Sequence, residues 1–302
     1  MLNQSSTGAR YMLLSALSFS AMGACVKMLG GQLPVAELVA ARAIVTLLLS
    51  AVAVRRAGLN PLGNAKGFLT LRGLLGFGGL SCVYYSLTHL PIAEATVLQY
   101  LHPVFTALLA PVLLREVTSK RVLITVALGL CGALLVGRPA ALFAESGSTL
   151  DTHAVLIALA GALFSSLAYI TVRKLHQTDH SHVIVLYFPL VAVPASLPAL
   201  ISQWQTPQGS QWFWLVMIGV LTQIGQVTLT HAMRTETVSR ATSFSYMQIL
   251  FAVIWGVVFF DEWPALLTWV GALIILVATL LQLRTAASEP SEKAPEPKSA
   301  RP

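Results

Sequence analysis

Ten apolar runs follow one another through the chain, and most of the charge sits at the joints between them. They cover residues 11–29, 35–54, 68–88, 91–114, 121–138, 153–173, 182–201, 211–232, 238–260 and 264–283. A bilayer's hydrocarbon core of about 30 Å takes roughly 20 apolar residues per helix. In lipid every backbone group must bond internally, so the choice lies between helices and a closed barrel. The period-two alternation of a barrel strand is missing. The runs therefore predict an all-α integral membrane protein with ten transmembrane helices. Composition agrees: 10% of the 302 residues are charged and 56% are hydrophobic, with mean hydropathy +0.74. Soluble domains carry about 25% charged residues. The first run reads as an uncleaved helix, because only Arg10 precedes it and many spans follow.

The net charge of +7 has a location. With the N-terminus inside, the cytoplasmic joints and tail hold Arg10; Arg55, Arg56 and Lys66; Arg115, Lys120 and Arg121; Arg173 and Lys174; Arg234; and Arg284, Lys293, Lys298 and Arg301. The outer joints hold Arg138 alone, beside Glu145, Asp151, Asp261 and Glu262. That asymmetry predicts cytoplasmic N- and C-termini and a multi-pass protein of the plasma (inner) membrane. It also argues against nucleic acid as the reason for the basic pI.

A shift of 146 residues superposes the polar fourth run, Leu90–Glu116, on Thr235–Glu262. Ala95 then falls on Ala241, Thr96 on Thr242, Tyr100 on Tyr246, Phe105 on Phe251, Val112 on Val258 and Glu116 on Glu262. The chain thus reads as two related halves, 11–137 and 153–283, joined by an outer loop at 138–152 and followed by a disordered tail at 284–302. Five spans per half is an odd number, so the halves enter the membrane in opposite senses. Inverted repeats of this kind hold the substrate site of many secondary transporters near the midplane, between the halves.

Polar side chains inside a membrane are costly, and function is the first reading to test. At 100° per residue, Gln99, Tyr100 and His102 share one broad face of the fourth helix, and Glu94 falls on the other. The 146-residue shift pairs His102 with Gln248 and Tyr100 with Tyr246. Tyr100, His102, Tyr246 and Gln248 are expected to line a central site, with Gln99 beside them. The plain alternative is helix–helix hydrogen bonding. Pro103 removes a backbone hydrogen bond and is expected to kink the helix in a structural or gating role. Trp255, in mid-run, suits stacking on a planar substrate or a lipid-facing position. Arg42 sits within the second run and must pair or reach water. A structural or gating role and binding of a substrate carboxylate are both open to it.

With these residues in place, the chain resembles the EamA-type branch of the drug/metabolite transporter superfamily. The resemblance rests on Arg42, on Leu71-Arg72-Gly73, on Tyr84-Tyr85-Ser86-Leu87, and above all on Leu90–Glu116 with Pro103 and the terminal Glu116, echoed by Glu262. It covers about 11–137 and 153–283. It implies a cavity lined by the third, fourth, eighth and ninth helices, which brings in Tyr85 and Gln226, and it favours a structural or gating role for Arg42 over binding a substrate carboxylate. It also implies a small-molecule substrate, in a family that carries amino acids, nucleosides, vitamins, cofactors and drugs. The ninth run departs from the pattern, having no proline opposite Pro103.

The expected function is secondary transport of a small organic metabolite, such as an amino acid, by alternating access and in the efflux direction. Coupling is to protons or to exchange, and the unit is a monomer or homodimer. Uptake of a vitamin, nucleoside or cofactor-like solute is the alternative, and an intramembrane enzyme is the alternative of another class. No His-Glu-x-x-His, Gly-x-Ser-x-Gly or Walker loop occurs, so neither an enzyme nor ATP hydrolysis is expected. Cys25, Cys82 and Cys131 lie inside apolar runs without metal-site spacing, so no metal or cofactor is expected.

Overall fold

The computed structural model describes residues 2–114, 120–137, 150–175, 178–235 and 247–288. Those residues form helices and connecting turns, in the order α1 (Leu2–Leu29), α2 (Val35–Arg56), α3 (Lys66–His89), α4 (Ile92–Gln99), α5 (His102–Leu114), α6 (Lys120–Gly137), α7 (Thr152–Leu175), α8 (Ser181–Gln203), α9 (Gln211–Thr235), α10 (Met247–Phe260) and α11 (Leu266–Ser288). Six of them are long and apolar enough to cross a membrane, and α10 and stretches of α6 and α11 are shorter apolar helices. α11 runs on to Ser288, past the expected start of the tail at 284. Tyr246, most of the outer loop and the tail beyond Ser288 lie outside the described residues.

The sequence explains where these helices break. Pro34 stands at the N-cap of α2 and Pro91 at that of α4. Gly31, Gly58, Gly63 and Gly209 take positive φ in the turns, where a Cβ would be strained. α8 keeps Pro189, Pro194 and Pro198 in its interior. Prolines are tolerated in membrane helices where neighbours and local adjustments satisfy the freed carbonyls.

Packing joins the first half of the chain to the second. α1 packs on α9 and α10, α3 on α7 and α8, α2 on α8 and α9, α5 and α4 on α7, α4 on α10, and α6 on α11. Setting aside α4, whose counterpart lies outside the described residues, this pattern is unchanged when each helix is exchanged for the one 146 residues away. Helix bounds follow the same offset: α2 moved by 146 spans 181–202, against Ser181–Gln203 observed, and α3 spans 212–235, against Gln211–Thr235. Close crossings use glycine. A Cβ on Gly132 of α6 would lie 2.8 Å from the Gly271 carbonyl of α11, and one on Gly271 would lie 2.7 Å from the Gly132 carbonyl. Without a hydrophobic drive between helices in lipid, such backbone approach is a main source of contact.

Both ends of the bundle are tied by loop contacts. At one end Gln211 Nε2 donates to Gln32 Oε1 at 3.1 Å, and the Gln205 N–H donates to Glu37 Oε1 at 2.5 Å. At the other, Asp179 accepts from the backbone N–H of Asn64 at 2.5 Å and of Ala65 at 3.1 Å, and from the Thr178 hydroxyl at 2.8 Å. Burial pushes the Asp179 carboxyl up, but these three donors outweigh it and hold the group below the usual carboxylate value.

Candidate functional site

The fourth apolar run, expected as one kinked helix, is two. α4 stops at Gln99, Tyr100 and Leu101 form a link, and α5 restarts at His102. The last turn tightens: the Tyr100 N–H reaches both the Thr96 and Val97 carbonyls, and the Leu101 N–H reaches Leu98 at 3.1 Å. Pro103 explains the interruption, since it has no N–H to offer the Gln99 carbonyl four residues earlier. Helical bonding resumes with Phe105 N–H to Leu101 at 3.1 Å.

The break brings polar side chains to a narrow internal cavity of about 40 Å³ between α1, α3, α4 and α10. Ser20, Met22, Thr96, Gln99 and Gln248 are among its lining residues. Tyr100, one residue past Gln99, donates its hydroxyl to Gln248 Oε1 at 3.2 Å, linking the two halves of the chain. Gln99 Nε2 donates to Ser165 Oγ of α7 at 3.0 Å, while its buried Oε1 has no hydrogen-bond partner among the described residues. Ser20 Oγ is buried and unpartnered too. The cavity therefore offers acceptor and hydroxyl positions that the protein itself leaves open. A wider depression of about 460 Å³, walled by Gly31–Pro34, Gln203 and Gln205, lies among the end loops and contains none of these groups.

The other expected residues are spread around this centre. His102 stacks on Tyr169 of α7, with ring centroids 5.0 Å apart, and the Thr106 hydroxyl on the next turn bonds to Ser166 at 3.1 Å. Trp255 lies on α10 with a buried Nε1 that has no partner among the described residues and a tilted Phe259 ring 5.7 Å away. Tyr85 sits near the C-terminal end of α3, outside the cavity lining. It stacks on His89 at 3.9 Å, and its hydroxyl lies 3.4 Å from His153 Nδ1. Gln226 is on α9, beside the Gly225 carbonyl that accepts from Ser15 of α1 at 2.9 Å. Tyr246 lies outside the described residues.

Three features escaped the sequence reading. Glu94 is 2% exposed and accepts from the Thr268 hydroxyl of α11 at 2.9 Å. Its place on the far side of α4 is a second buried interface rather than lipid. Lys27, at the end of α1, forms an ion pair with Glu262 Oε1 at 2.7 Å and donates to the Leu90 carbonyl at 2.6 Å. Glu262 Oε2 accepts from the Ile92 N–H at 3.0 Å, so one carboxylate ties α1, the start of α4 and the end of α10 together. No contact between Lys27 and Glu262 is legible at a sequence separation this large. Arg72 is the third: with Arg42 it flanks Phe188 of α8, at 6.0 and 5.6 Å from the ring centroid. Arg42 also lies 5.7 Å from the Tyr84 ring and donates to its hydroxyl at 3.4 Å.

Comparison with known proteins places the chain as a whole. The model of the EamA-like transporter family matches residues 6–138 and again 152–284. The pseudopaline exporter CntI of Pseudomonas aeruginosa (strain UCBPP-PA14) is 32% identical over 280 residues, covering 92% of this chain and 96% of the exporter. Human solute carrier family 35 member G1 is 27% identical over 285 residues, covering 90% and 78%. A solved crystal structure superposes with a TM-score of 0.63 at 20% identity, over 95% of this chain and 98% of its own, a likeness of fold alone.

Proposed function

The chain belongs to the EamA-like transporter family, and from that premise we propose that it is a secondary transporter that carries a small organic metabolite out across the inner membrane by alternating access. The observation that carries this reading is the interrupted fourth run. Its break faces a cavity, and Tyr100 there reaches across to Gln248. A discontinuous helix with unmet polar groups at the junction of two halves is how inverted-repeat transporters build a site for a solute. Efflux is favoured by the likeness to the pseudopaline exporter.

In this reading the chain has ten spans arranged as two inverted five-helix repeats, with both termini cytoplasmic. The exchange-invariant packing of the helices supports the repeat, and the cationic joints support the orientation. The end closed by Lys27–Glu262 then faces outward. A cavity of about 40 Å³ holds little more than a water molecule. The conformation is accordingly an occluded one, and substrate enters only when one end opens. Gln99, Tyr100 and Gln248 contact the solute, His102 and Trp255 wall its path, and Tyr85 and Gln226 lie outside that immediate contact set. Pro103 keeps the fourth run hinged.

The test is counterflow of labelled amino acids, nucleosides and vitamins into liposomes containing the purified chain. Accumulation of at least one unaltered solute above that in protein-free liposomes is expected. Label that is chemically converted, or that never accumulates across the panel, refutes transport.

A further inference from the structure

Two arginines lie inside the helix bundle, and among the described residues no carboxylate answers them. Arg42 is 8% exposed, and its Nε has no hydrogen-bond partner among the described residues. Arg72 has buried Nε and Nη1 atoms that likewise find no partner among the described residues. Both guanidiniums approach the ring of Phe188, at 5.6 and 6.0 Å from its centroid. Among the described residues neither has an acidic group at ion-pair distance; the ion pair seen there is Lys27–Glu262, at the end of the bundle.

Physical chemistry makes this arrangement unfavourable as scaffolding. A charge inside a membrane protein is costly unless paired or open to water. Two like charges in a low-dielectric interior add their repulsion. Aromatic faces offset part of this, since guanidinium stacks on Tyr84 and Phe188. They leave the in-plane N–H groups unmet, and those are the groups that match a carboxylate in two-point fashion. The position is also connected to the cavity. The Tyr84 hydroxyl receives the Arg42 hydrogen bond and itself donates to Met22 Sδ at 3.2 Å, and Met22 lines the cavity. Arg42 thus stands one side chain behind the cavity wall.

We propose that Arg42 and Arg72 form the anion subsite of the transported solute and take a carboxylate of a small organic acid. The acid supplies the counter-charge that the fold withholds, and Gln99 Oε1, an open acceptor on the cavity wall, takes an N–H or O–H of the same solute. The subsite rests on the transporter reading above. It moves Arg42 from the structural or gating role expected from the sequence to direct substrate contact, and gives Arg72 a role it did not have.

Melting of the purified full-length chain tests this with glutarate and citrate as carboxylate probes, glutaramide as the neutral isostere of glutarate, and inorganic phosphate as a competing anion. At saturating concentration at least one carboxylate is expected to raise Tm by about 2 °C or more, with no shift from glutaramide. R42Q and R72Q are each expected to lose the carboxylate shift, and R72K to keep part of it. Equal shifts from glutarate and glutaramide overturn the proposal. So does a shift from phosphate alone, a carboxylate shift retained in both glutamine variants, or no carboxylate shift at all. If the glutamine variants do not fold, the wild-type comparison of glutarate with glutaramide decides by itself. Counterflow is read separately: transport of neutral solutes without carboxylate stabilisation removes the subsite and leaves the transporter, whereas carboxylate stabilisation without flux does the reverse.

Discussion

Replacing Lys27 by methionine should open the end of the bundle that Lys27 and Glu262 now hold shut. The pair is 2.7 Å long, with side chains 12% and 24% exposed. It is neither a surface pair, worth about 0–1 kcal/mol, nor a fully buried one, whose loss of a partner costs about 3–5 kcal/mol. At this exposure about 2–3 kcal/mol is the expected loss, including the Lys27 bond to the Leu90 carbonyl. Because the latch exists only in the state closed at this end, that loss shifts the open-to-closed ratio about 30- to 150-fold. The assay is labelling of a Ser20→Cys reporter by a membrane-impermeant maleimide, with Cys25, Cys82 and Cys131 replaced. Ser20 lines the cavity, so its labelling rate reports opening. Lys27→Met should speed labelling by about the same factor where opening is a pre-equilibrium. Glu262→Gln should do so less, because its amide oxygen still accepts from the Ile92 N–H. The swap of Lys27→Glu with Glu262→Lys should rescue only in part. It restores the charges, but a glutamate at 27 cannot donate to Leu90, nor a lysine at 262 accept from Ile92. Labelling unchanged in Lys27→Met would refute the latch.

Three further outcomes follow from the same geometry. Tyr100→Phe removes the hydroxyl that bonds Gln248 at 3.2 Å, and should cost about 0.5–1.5 kcal/mol in a denaturation curve while slowing initial flux. Gly271→Ala puts a methyl against the Gly132 carbonyl and should destabilise by about 1–3 kcal/mol, lowering Tm, with an unchanged melting curve arguing against the close α6–α11 crossing. The Asp179 carboxyl is held below its unfolded value of about 4. Its contribution is therefore fully present above that pH and is lost as pH falls through the folded value. Asp179→Asn should cost about 1 kcal/mol at neutral pH, the difference between hydrogen bonds to a charged and to a neutral acceptor, and should flatten the acid limb of a Tm-against-pH plot.

Hydropathy is a local property, and whatever depends on it was legible in the sequence. The membrane class, the apolar runs and the 146-residue offset that reproduces the bounds of α2 and α3 within the second half are all set by where apolar residues stop and Pro, Gly or charge begins. Pro103 announced a disturbance in the fourth run for the same local reason. What the run does there was decided by tertiary packing: Tyr100 meets Gln248, Gln99 meets Ser165, and His102 turns to Tyr169. A helical wheel says which residues share a face, but not which neighbour that face meets, nor at what depth. Glu94 shows the difference, since its face away from Gln99 is buried against α11. Arg42 and Arg72 show it again. Each is a lone cation in its own run, and only the crossing of α2, α3 and α8 brings both to Phe188. Contacts between residues far apart in the chain, Lys27 with Glu262 above all, depend on how helices rotate and slide to bury surface together, and no single segment carries that information.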